Sequence, residues 1–297
     1  MRTLALAALV GVLHVHHAPS HDTDAPFEEV LEAAYASDLD FLVLAEHVPI
    51  DADGSLPAAE HAGLYTRPDG RNLLVLVGAE FGTRDGHLLA YDIPEVIPAE
   101  GLPGHEVIDA IHAAGGFAVV PHPFAYGGWQ DWDAEFDGLE VHNNAAVLRG
   151  TVGPLLPLRL LRHAFTRNRS LRAMLVRPER PLDQWERLLM SGRRVVAFAG
   201  ADAHRNVSLL GWQIDPYAEV FRTVKTMCPD GPLEPAAIWQ ALRSGACWIR
   251  YRIYDERAEE AREVRFPSGR LELQLDGGRR VLEIRQPPRR GSASSER

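Results

Sequence analysis

The sequence has one lysine, two cysteines and no long apolar run. Apart from Lys225, the 31 basic residues are arginines, and 41 acidic residues give a formal net charge of −10. This balance argues against a nonspecific nucleic-acid binder, because that class needs excess cations to displace counterions from phosphates. No apolar run reaches the roughly 20 residues of a membrane span. The hydrophobic content of 46% is that of a globular protein with a sizeable core.

The two cysteines, Cys228 and Cys247, are far apart and form no CxxC pair. The sequence therefore predicts neither a disulfide framework nor a cysteine zinc site, and it favours a reducing compartment. The opening MRTLALAALVGV is similar to a short signal peptide, but cleavage there would remove the strand that carries HVHH. We therefore predict a cytoplasmic protein.

Short apolar segments rich in β-branched residues alternate with helical patterns, which is typical of a parallel sheet wrapped by helices. The candidate strands are LALAALVGVLHV, DFLVLAEH, LLVLVGAEF, HLLAYDI, FAVVPHP, GLEVHN and VVAFAGADAH. Between them, PFEEVLEAAYAS predicts a helix that Thr23 or Asp24 caps, and HEVIDAIHAAGG and PLDQWERLLMSG predict two more. Seven strands with helical crossovers predict one α/β barrel over residues 1–250.

Two further segments interrupt or follow this pattern. Residues 145–194 form a helix-prone insertion. From Arg149 to Arg194 it contains eleven arginines and only three acidic residues. These arginines either line the barrel rim and attract phosphates, or form a solvated outer face. Residues 251–286 alternate with period two and contain an Asp276-Gly277 hairpin signal, so they predict a small antiparallel β appendage. The composition of residues 287–297 predicts a disordered tail.

Most candidate strands end in a side chain that can bind a metal. These residues are His14, His16, His47, Glu80, His122, Asp202 and His204. In a parallel barrel the strand ends meet at one rim, where active sites are built. In His-x-His both imidazoles also point to the same side of a strand, so they can bind one cation. The combined pattern predicts a metal centre rather than a set of core histidines.

Seven motifs follow one another along the chain, and they are HVHHAPSHD, VLAEH, VGAEFGT, GHLLAY, VVPHPF, GLEVHN and GADAH. In these motifs the chain resembles the PHP superfamily, named for polymerase and histidinol phosphatase. They stand in the family's order, and the resemblance covers about residues 8–250. It implies a distorted (β/α)7 TIM-like barrel that hydrolyses phosphate esters with bound metals.

The resemblance implies two or three divalent cations, for which zinc, manganese and iron suit mixed imidazole and carboxylate ligands. The implied ligands are His14, His16, Glu80 and Asp202 for one metal, Glu80, His87 and His122 for a second, and His47, His204 and His21 or Asp22 for a third. By its offset from His14, His21 is favoured over Asp22. The family's usual Thr-Asp-His stands here as Ala45-Glu46-His47. Glu46 then either replaces the aspartate with a longer reach or weakens the third site.

The same resemblance implies a mechanism in which a metal-bound hydroxide attacks phosphorus. Asp202 belongs to this catalytic centre, and His204 or His47 protonates the leaving group. Because the arginine fork matches phosphate geometry, Arg205 and Arg84 are the predicted substrate contacts. His142, at the end of GLEVHN, is a third candidate for substrate binding.

These features predict a metal-dependent phosphoesterase, in the first place a phosphatase for a small phosphomonoester or nucleotide. One alternative is an exonuclease or phosphodiesterase that acts on short oligonucleotides. Another is a catalytically silent metal-binding module, although retention of nearly the full ligand set counts against it. No membrane partner is expected, and the sequence leaves the oligomeric state open.

Overall fold

The computed structural model describes residues 8–49, 52, 54–67, 69–150, 179–209, 212–213, 215–253, 270–276 and 279–285. Most of the predicted arginine-rich insertion, from 151 to 178, lies outside these residues. So does the predicted tail, from 287 to 297. Within the described residues, no helix has the length and apolar character needed to cross a membrane.

The described strands and helices alternate along most of the chain. The strands are β1 (Ala8–Val15), β2 (Phe41–His47), β3 (Gly63–Thr66), β4 (Asn72–Thr83), β5 (Gly86–Tyr91), β6 (Phe117–Val120), β7 (Gly138–Asn143), β8 (Val196–Ala203), β9 (Ser208–Leu209), β10 (Trp212–Gln213), β11 (Val224–Pro229), β12 (Trp248–Ile253), β13 (Arg270–Asp276) and β14 (Arg279–Arg285). The helices are α1 (Phe27–Ala36), α2 (Gly104–Ala113), α3 (Asn144–Gly150), α4 (Glu179–Met190), α5 (Tyr217–Val220) and α6 (Pro235–Ser244), with a 3-10 turn at Ala59–His61.

Seven strands close into a barrel in the order β1-β2-β4-β5-β6-β7-β8, and β8 pairs back with β1. All neighbours are parallel except β5, which is antiparallel to both β4 and β6. The predicted seven-stranded α/β barrel is confirmed. The expectation of helical crossovers throughout was wrong for β4 and β5, because Arg84 and Asp85 join them in a tight hairpin.

Side chains alternate across the barrel wall and divide the core into layers. Inward-facing residues such as Leu13, Phe41 and Phe117 pack with Trp239 of α6 and fill one end of the barrel. Outward-facing residues such as Val12 and Leu42 pack under α1 and α5. The apolar filling of the interior leaves only the opposite rim for polar side chains.

Helix α1 begins at Phe27 and buries Phe27, Val30 and Ala33 against the barrel. Its predicted cap was wrong, because Pro26 holds the cap position and no side chain caps the helix. The Thr23 hydroxyl instead donates to the backbone carbonyl of His204. Thr23 therefore ties the loop after β1 to the loop after β8, on the rim where both strands end.

Four antiparallel strands extend the barrel wall on the far side of β1. β11 pairs with the first half of β1, and β12, β14 and β13 follow in that order. Cys228 of β11 and Cys247, directly before β12, form a disulfide. The expectation of unpaired cysteines was wrong because β11 and β12 are antiparallel neighbours, with Met227 opposite Trp248. Disulfides are typical of oxidising compartments, which does not favour the predicted reducing compartment. The compartment itself stays a prediction.

Reduction of the disulfide should destabilise the fold. The bond closes a loop with a sequence separation of 19 residues. A cross-link of this size lowers the conformational entropy of the unfolded chain and so raises its free energy by roughly 3 kcal/mol. We expect the urea midpoint to fall when dithiothreitol is added, and a Cys228→Ser/Cys247→Ser variant to lack this response. Two reactive thiols in the denatured, unreduced protein would contradict the assignment.

Candidate metal centre

Glu80 lies at the centre of the polar rim, almost fully buried, and its two carboxylate oxygens face different histidines. Its Oε2 lies 3.0 Å from His14 Nε2 and 3.3 Å from His16 Nε2. His47, which pairs with Glu80 across β2 and β4, places Nδ1 at 3.6 Å from the same oxygen. One carboxylate oxygen thus faces three imidazoles from two strands.

The other oxygen, Glu80 Oε1, faces two further histidines. His87 Nδ1 lies at 2.7 Å and His122 Nε2 at 3.0 Å. His87 reaches this rim because β5 runs antiparallel, so its first residues lie beside the last residues of β4. In the hairpin His87 pairs with Gly82, two residues beyond Glu80, which puts both side chains on one face.

A second carboxylate, Asp202 of β8, closes the centre on the side of β1. Its Oδ1 lies 3.7 Å from His14 Nε2 and 3.6 Å from His16 Nε2. Asp22 lies at the outer edge, with Oδ2 at 3.0 Å from His204 Nε2 and 3.7 Å from His47 Nε2. The rim therefore joins nine of the ten predicted ligands in one cluster of imidazoles and carboxylates.

His21 and Asp22, the alternatives for the third metal, both lie beside His47. The His21 ring is 4.9 Å from that of His47, and His21 is exposed. Asp22 is half-buried and is the one whose carboxylate contacts both His47 and His204. His21, Asp22 and His47 each offer one donor atom within 4.8 Å of the others. The geometry leaves both residues within reach of a cation and directs Asp22 at two of its neighbours.

Unusual backbone conformations aim three of these side chains. His14, His122 and Asp202 have φ values of 60°, 27° and 48°, a region that non-glycine residues rarely adopt. Leu13 faces the barrel interior, and the irregularity at His14 turns His14 inward as well. Such strain costs about 1–3 kcal/mol per residue and is concentrated at functional sites.

A buried carboxylate behind the centre orients His14. His14 Nδ1 donates to Glu140 Oε1 at 2.8 Å, so its Nε2 is directed at Glu80. Glu140 Oε2 accepts from the His122 backbone N–H at 3.0 Å and from Asn143 Nδ2 at 2.8 Å. Carboxylate partners of this kind fix the tautomer and direction of metal-binding histidines.

The charges of the centre perturb its pKa values in opposite directions. Burial alone would lower the pKa of His14, but Glu140, Asp202 and Glu80 together raise it well above its usual value. Burial also opposes protonation of His204, yet Asp22 and Asp202 raise its pKa to about 9. Burial, with the nearby charge of His204, lowers the pKa of His16 to about 4. Burial disfavours the Glu80 carboxylate, but the charge of His14 and hydrogen bonds from the histidines keep its pKa well below the usual range.

The donor set fits a divalent cation. Four buried atoms of the cluster, His16 Nε2, Asp22 Oδ1, Asp202 Oδ2 and His204 Nε2, make no well-aligned hydrogen bond among the described residues, although His204 Nε2 lies 3.0 Å from Asp22 Oδ2. Buried polar atoms are almost always paired, so an unpaired group of this kind needs an explanation. Within the described chain, several triads have donor atoms that all lie within 4.8 Å of one another. Two of them are His14, His16 and Glu80, and His16, His47 and His204. A cation between them satisfies these lone pairs at once.

Comparison with solved structures identifies the architecture. The chain is similar to a two-domain protein of Bacteroides vulgatus that contains a predicted PHP-like metal-dependent phosphoesterase, with a TM-score of 0.50 and 15% identity over 95% of this chain and 87% of that chain. This chain has the PHP-type barrel fold. A second structure, from Bifidobacterium adolescentis, has a TM-score of 0.39 and 17% identity over 71% of this chain and 93% of that chain, which is too weak to define a fold.

Sequence comparison adds little to this fold assignment. No protein-family model matches the chain. An uncharacterized protein of Methanocaldococcus jannaschii is 36% identical over 73 residues, which are 23% of this chain and 42% of that protein. The chain thus matches less than half the length of this curated relative.

The candidate metal centre of this PHP-type barrel opens into a cavity of about 600 Å³. The outer part of the cavity is lined by apolar or aromatic residues, which are Pro19, Val48, Pro49 and Tyr126. Tyr126 is 39% exposed, and its ring centre lies 4.7 Å from that of His122. A polar floor below an apolar lip suits a small ester whose charged group binds at the floor.

The three predicted substrate contacts do not line this cavity in the PHP-type barrel. Arg205 pairs with Asp24 at 3.0 Å and with Glu29 at 2.9 Å. Arg84 lies in the β4–β5 hairpin, and His142 is buried with Nε2 at 2.8 Å from Asn144 Oδ1. Of the described residues that line the cavity, none is an arginine or lysine.

Sequence reasoning missed the residues that support the candidate metal centre from behind. Glu140, which was not among the predicted site residues, contacts both the His14 side chain and the His122 backbone. The one sequence feature that reflects its position is Gly200. A Cβ at residue 200 would lie 1.9 Å from Glu140 Oε1, so only glycine leaves room for this carboxylate. That signal cannot be interpreted before β7 and β8 are known to be neighbours.

Proposed function

We propose that this chain is a metal-dependent phosphoesterase that hydrolyses a small phosphomonoester or nucleotide at a multinuclear centre. The proposed ligands are the ten histidine and carboxylate residues predicted from the sequence. The observation that carries the proposal is the placement of Glu80, whose Oε2 faces His14 and His16 while its Oε1 faces His87 and His122. A carboxylate between two such sets of donors is suited to bridging two cations.

Divalent cations bound here would polarise the phosphoryl oxygens and make water at the centre more acidic. The residues of the chain would hold and orient these cations. His204 Nδ1 lies 3.0 Å from the Asp202 carbonyl oxygen, so Nε2 is the nitrogen that faces the cavity. Although burial lowers it, Asp22 and Asp202 raise the pKa of His204 to about 9 in the metal-free protein, so His204 would give up its proton when a cation binds.

The shape of the cavity supports a small substrate. About 600 Å³ is within the range of small-molecule sites. The histidines of the floor and the bound cations would hold the phosphate, while the lip of Pro19, Val48, Pro49 and Tyr126 would contact the leaving group. Six of the eleven arginines of the predicted insertion lie outside the described part of the chain.

The proposal is tested by phosphate release from a panel of phosphomonoesters, nucleotides and short oligonucleotides. The protein is stripped of metal and reloaded with Mn²⁺ or Zn²⁺, and a His14→Ala/Asp202→Ala variant serves as the control. We expect turnover of one monoester class that the control lacks. Activity confined to oligonucleotides would instead support the exonuclease, and stoichiometric metal uptake without turnover would support the silent module.

Cation binding should release protons and strengthen as the pH rises. In the metal-free protein His204 has a pKa of about 9, since Asp22 and Asp202 outweigh its burial, and the carboxylates around His14 hold its pKa well above the usual value. His204 is therefore protonated at pH 7.5, and a protonated imidazole nitrogen cannot bind a cation. The apparent affinity for Mn²⁺ should therefore rise from pH 6.5 to about 9.

Calorimetric titration at pH 7.5 in two buffers with different ionisation enthalpies measures this release. We expect the binding enthalpy to differ between the buffers by an amount that corresponds to roughly one or two protons per protein. Buffer-independent enthalpy, with an affinity that no longer changes above pH 7.5, would contradict the prediction.

A further inference from the structure

The hydroxyl of Ser20 lies behind the metal centre and has three partners. Its Oγ is 2.6 Å from Glu46 Oε2, 3.0 Å from the His47 backbone nitrogen and 3.1 Å from His16 Nδ1. A hydroxyl has one hydrogen to donate and two lone pairs that accept. All three capacities of Ser20 are therefore used, in a position where only 2% of the residue is exposed.

The direction of each hydrogen bond follows from the chemistry of the partners. Glu46 is fully buried, and both of its oxygens accept from the His17 backbone N–H, at 3.1 and 3.0 Å. The His17 side chain adds a further hydrogen bond from Nδ1 to Glu46 Oε1. Both oxygens of Glu46 thus accept from N–H donors, and Ser20 Oγ, 2.6 Å from Oε2, adds an O–H donor. The hydroxyl hydrogen of Ser20 therefore points to Glu46.

This assignment determines which nitrogen of His16 carries a hydrogen. The backbone nitrogen of His47 can only donate to Ser20, which leaves one lone pair of Ser20 for His16. His16 Nδ1 must then be the protonated nitrogen, and Nε2 must bear a lone pair. That Nε2 faces Glu80 Oε2 at 3.3 Å and Asp202 Oδ1 at 3.6 Å, two oxygens that also bring lone pairs.

We propose that Ser20, Glu46 and His17 form a positioning relay that holds His16 as its Nδ1–H tautomer and keeps Nε2 available as a ligand. Ser20 also holds the backbone of His47, so one hydroxyl orients two side chains of the centre. Glu46 lies on the face of β2 opposite to His47, which excludes it from the centre and places it beside His17. The relay rests on the proposed function only in that His16 is taken as a metal ligand.

The tautomer of His16 is measured directly by nitrogen–proton correlation spectra of the full-length, metal-free protein with ¹⁵N-labelled histidine. The His16 signals are those lost in a His16→Gln variant. We expect the Nδ1–H form in the native chain. In Ser20→Ala, His16 loses its acceptor at Nδ1, so the Nε2–H form should increase because Nε2 can then donate to Glu80.

Metal titration gives the second readout. We expect Ser20→Ala to weaken binding at one site by roughly 10- to 100-fold, the usual effect of losing a partner behind a ligand. Ser37→Ala is the matched control, since Ser37 is equally buried but its hydroxyl is directed at the Ala218 carbonyl. Glu46→Gln keeps the shape of the side chain but offers one acceptor oxygen to three donors, so it should act like Ser20→Ala.

The outcomes separate the relay from the proposed function. An Nε2–H tautomer in the native chain, or an unchanged tautomer and metal affinity in both folded variants, overturns the relay. A native chain with the Nδ1–H tautomer that binds no Mn²⁺ or Zn²⁺ supports the relay and overturns the metal-dependent function instead.

Discussion

Glu80→Gln should abolish phosphate release and lower the number of bound metal ions. Glu80 is the carboxylate that faces His14 and His16 with one oxygen and His87 and His122 with the other. Glutamine keeps the volume but replaces one oxygen by an NH₂ group, which repels a cation. We expect kcat/KM to fall by at least about 10³-fold, or about 4 kcal/mol of transition-state stabilisation.

Metal content after desalting and steady-state phosphate release measure this effect. Glu60→Gln is the matched control, because the Glu60 side chain is 68% exposed. Its one ion-pair contact among the described residues is with His61, at 3.8 Å. It should keep native metal content and activity. A Glu80→Gln protein with unchanged metal content would show that Glu80 does not bridge cations.

Gly200→Ala should damage both the fold and the metal centre. A Cβ on Gly200 would lie 1.9 Å from Oε1 and 2.6 Å from Cδ of Glu140, which is itself buried. Glu140 must then move, and it would release His14 Nδ1 and the His122 backbone N–H. We expect a loss of about 1–3 kcal/mol in the free energy of unfolding from overpacking, with a roughly 10- to 100-fold weaker metal affinity.

Urea denaturation of the metal-free protein and metal titration check the two parts separately. Gly231→Ala provides the control, since the nearest atom to a Cβ there is the Pro229 carbonyl oxygen at 4.0 Å. This control should change neither quantity by much. If Gly200→Ala also left both unchanged, Glu140 would have no role in orienting His14.

Periodicity and strand ends were sufficient to predict the barrel and the composition of its rim. Each barrel strand is a short apolar segment, and parallel strands bring their last residues together whatever their separation in the chain. His47, Glu80 and Asp202 could thus be placed on one rim before any contact was known. The disulfide could not be predicted, because a sequence separation of 19 says nothing about whether Cys228 and Cys247 face each other.

By itself, the sequence determined the seven barrel strands and the set of side chains that can bind metal, since both depend on local residue pattern. Tertiary structure alone decided how those side chains are aimed. His14 turns inward beside Leu13 because the pairing of β1 is irregular there, and strict alternation would have placed it with Val12 on the outer face. The partners Glu140 and Ser20 were likewise decided by packing, because hydrogen-bond direction depends on neighbours that are distant in the chain or lie around a turn.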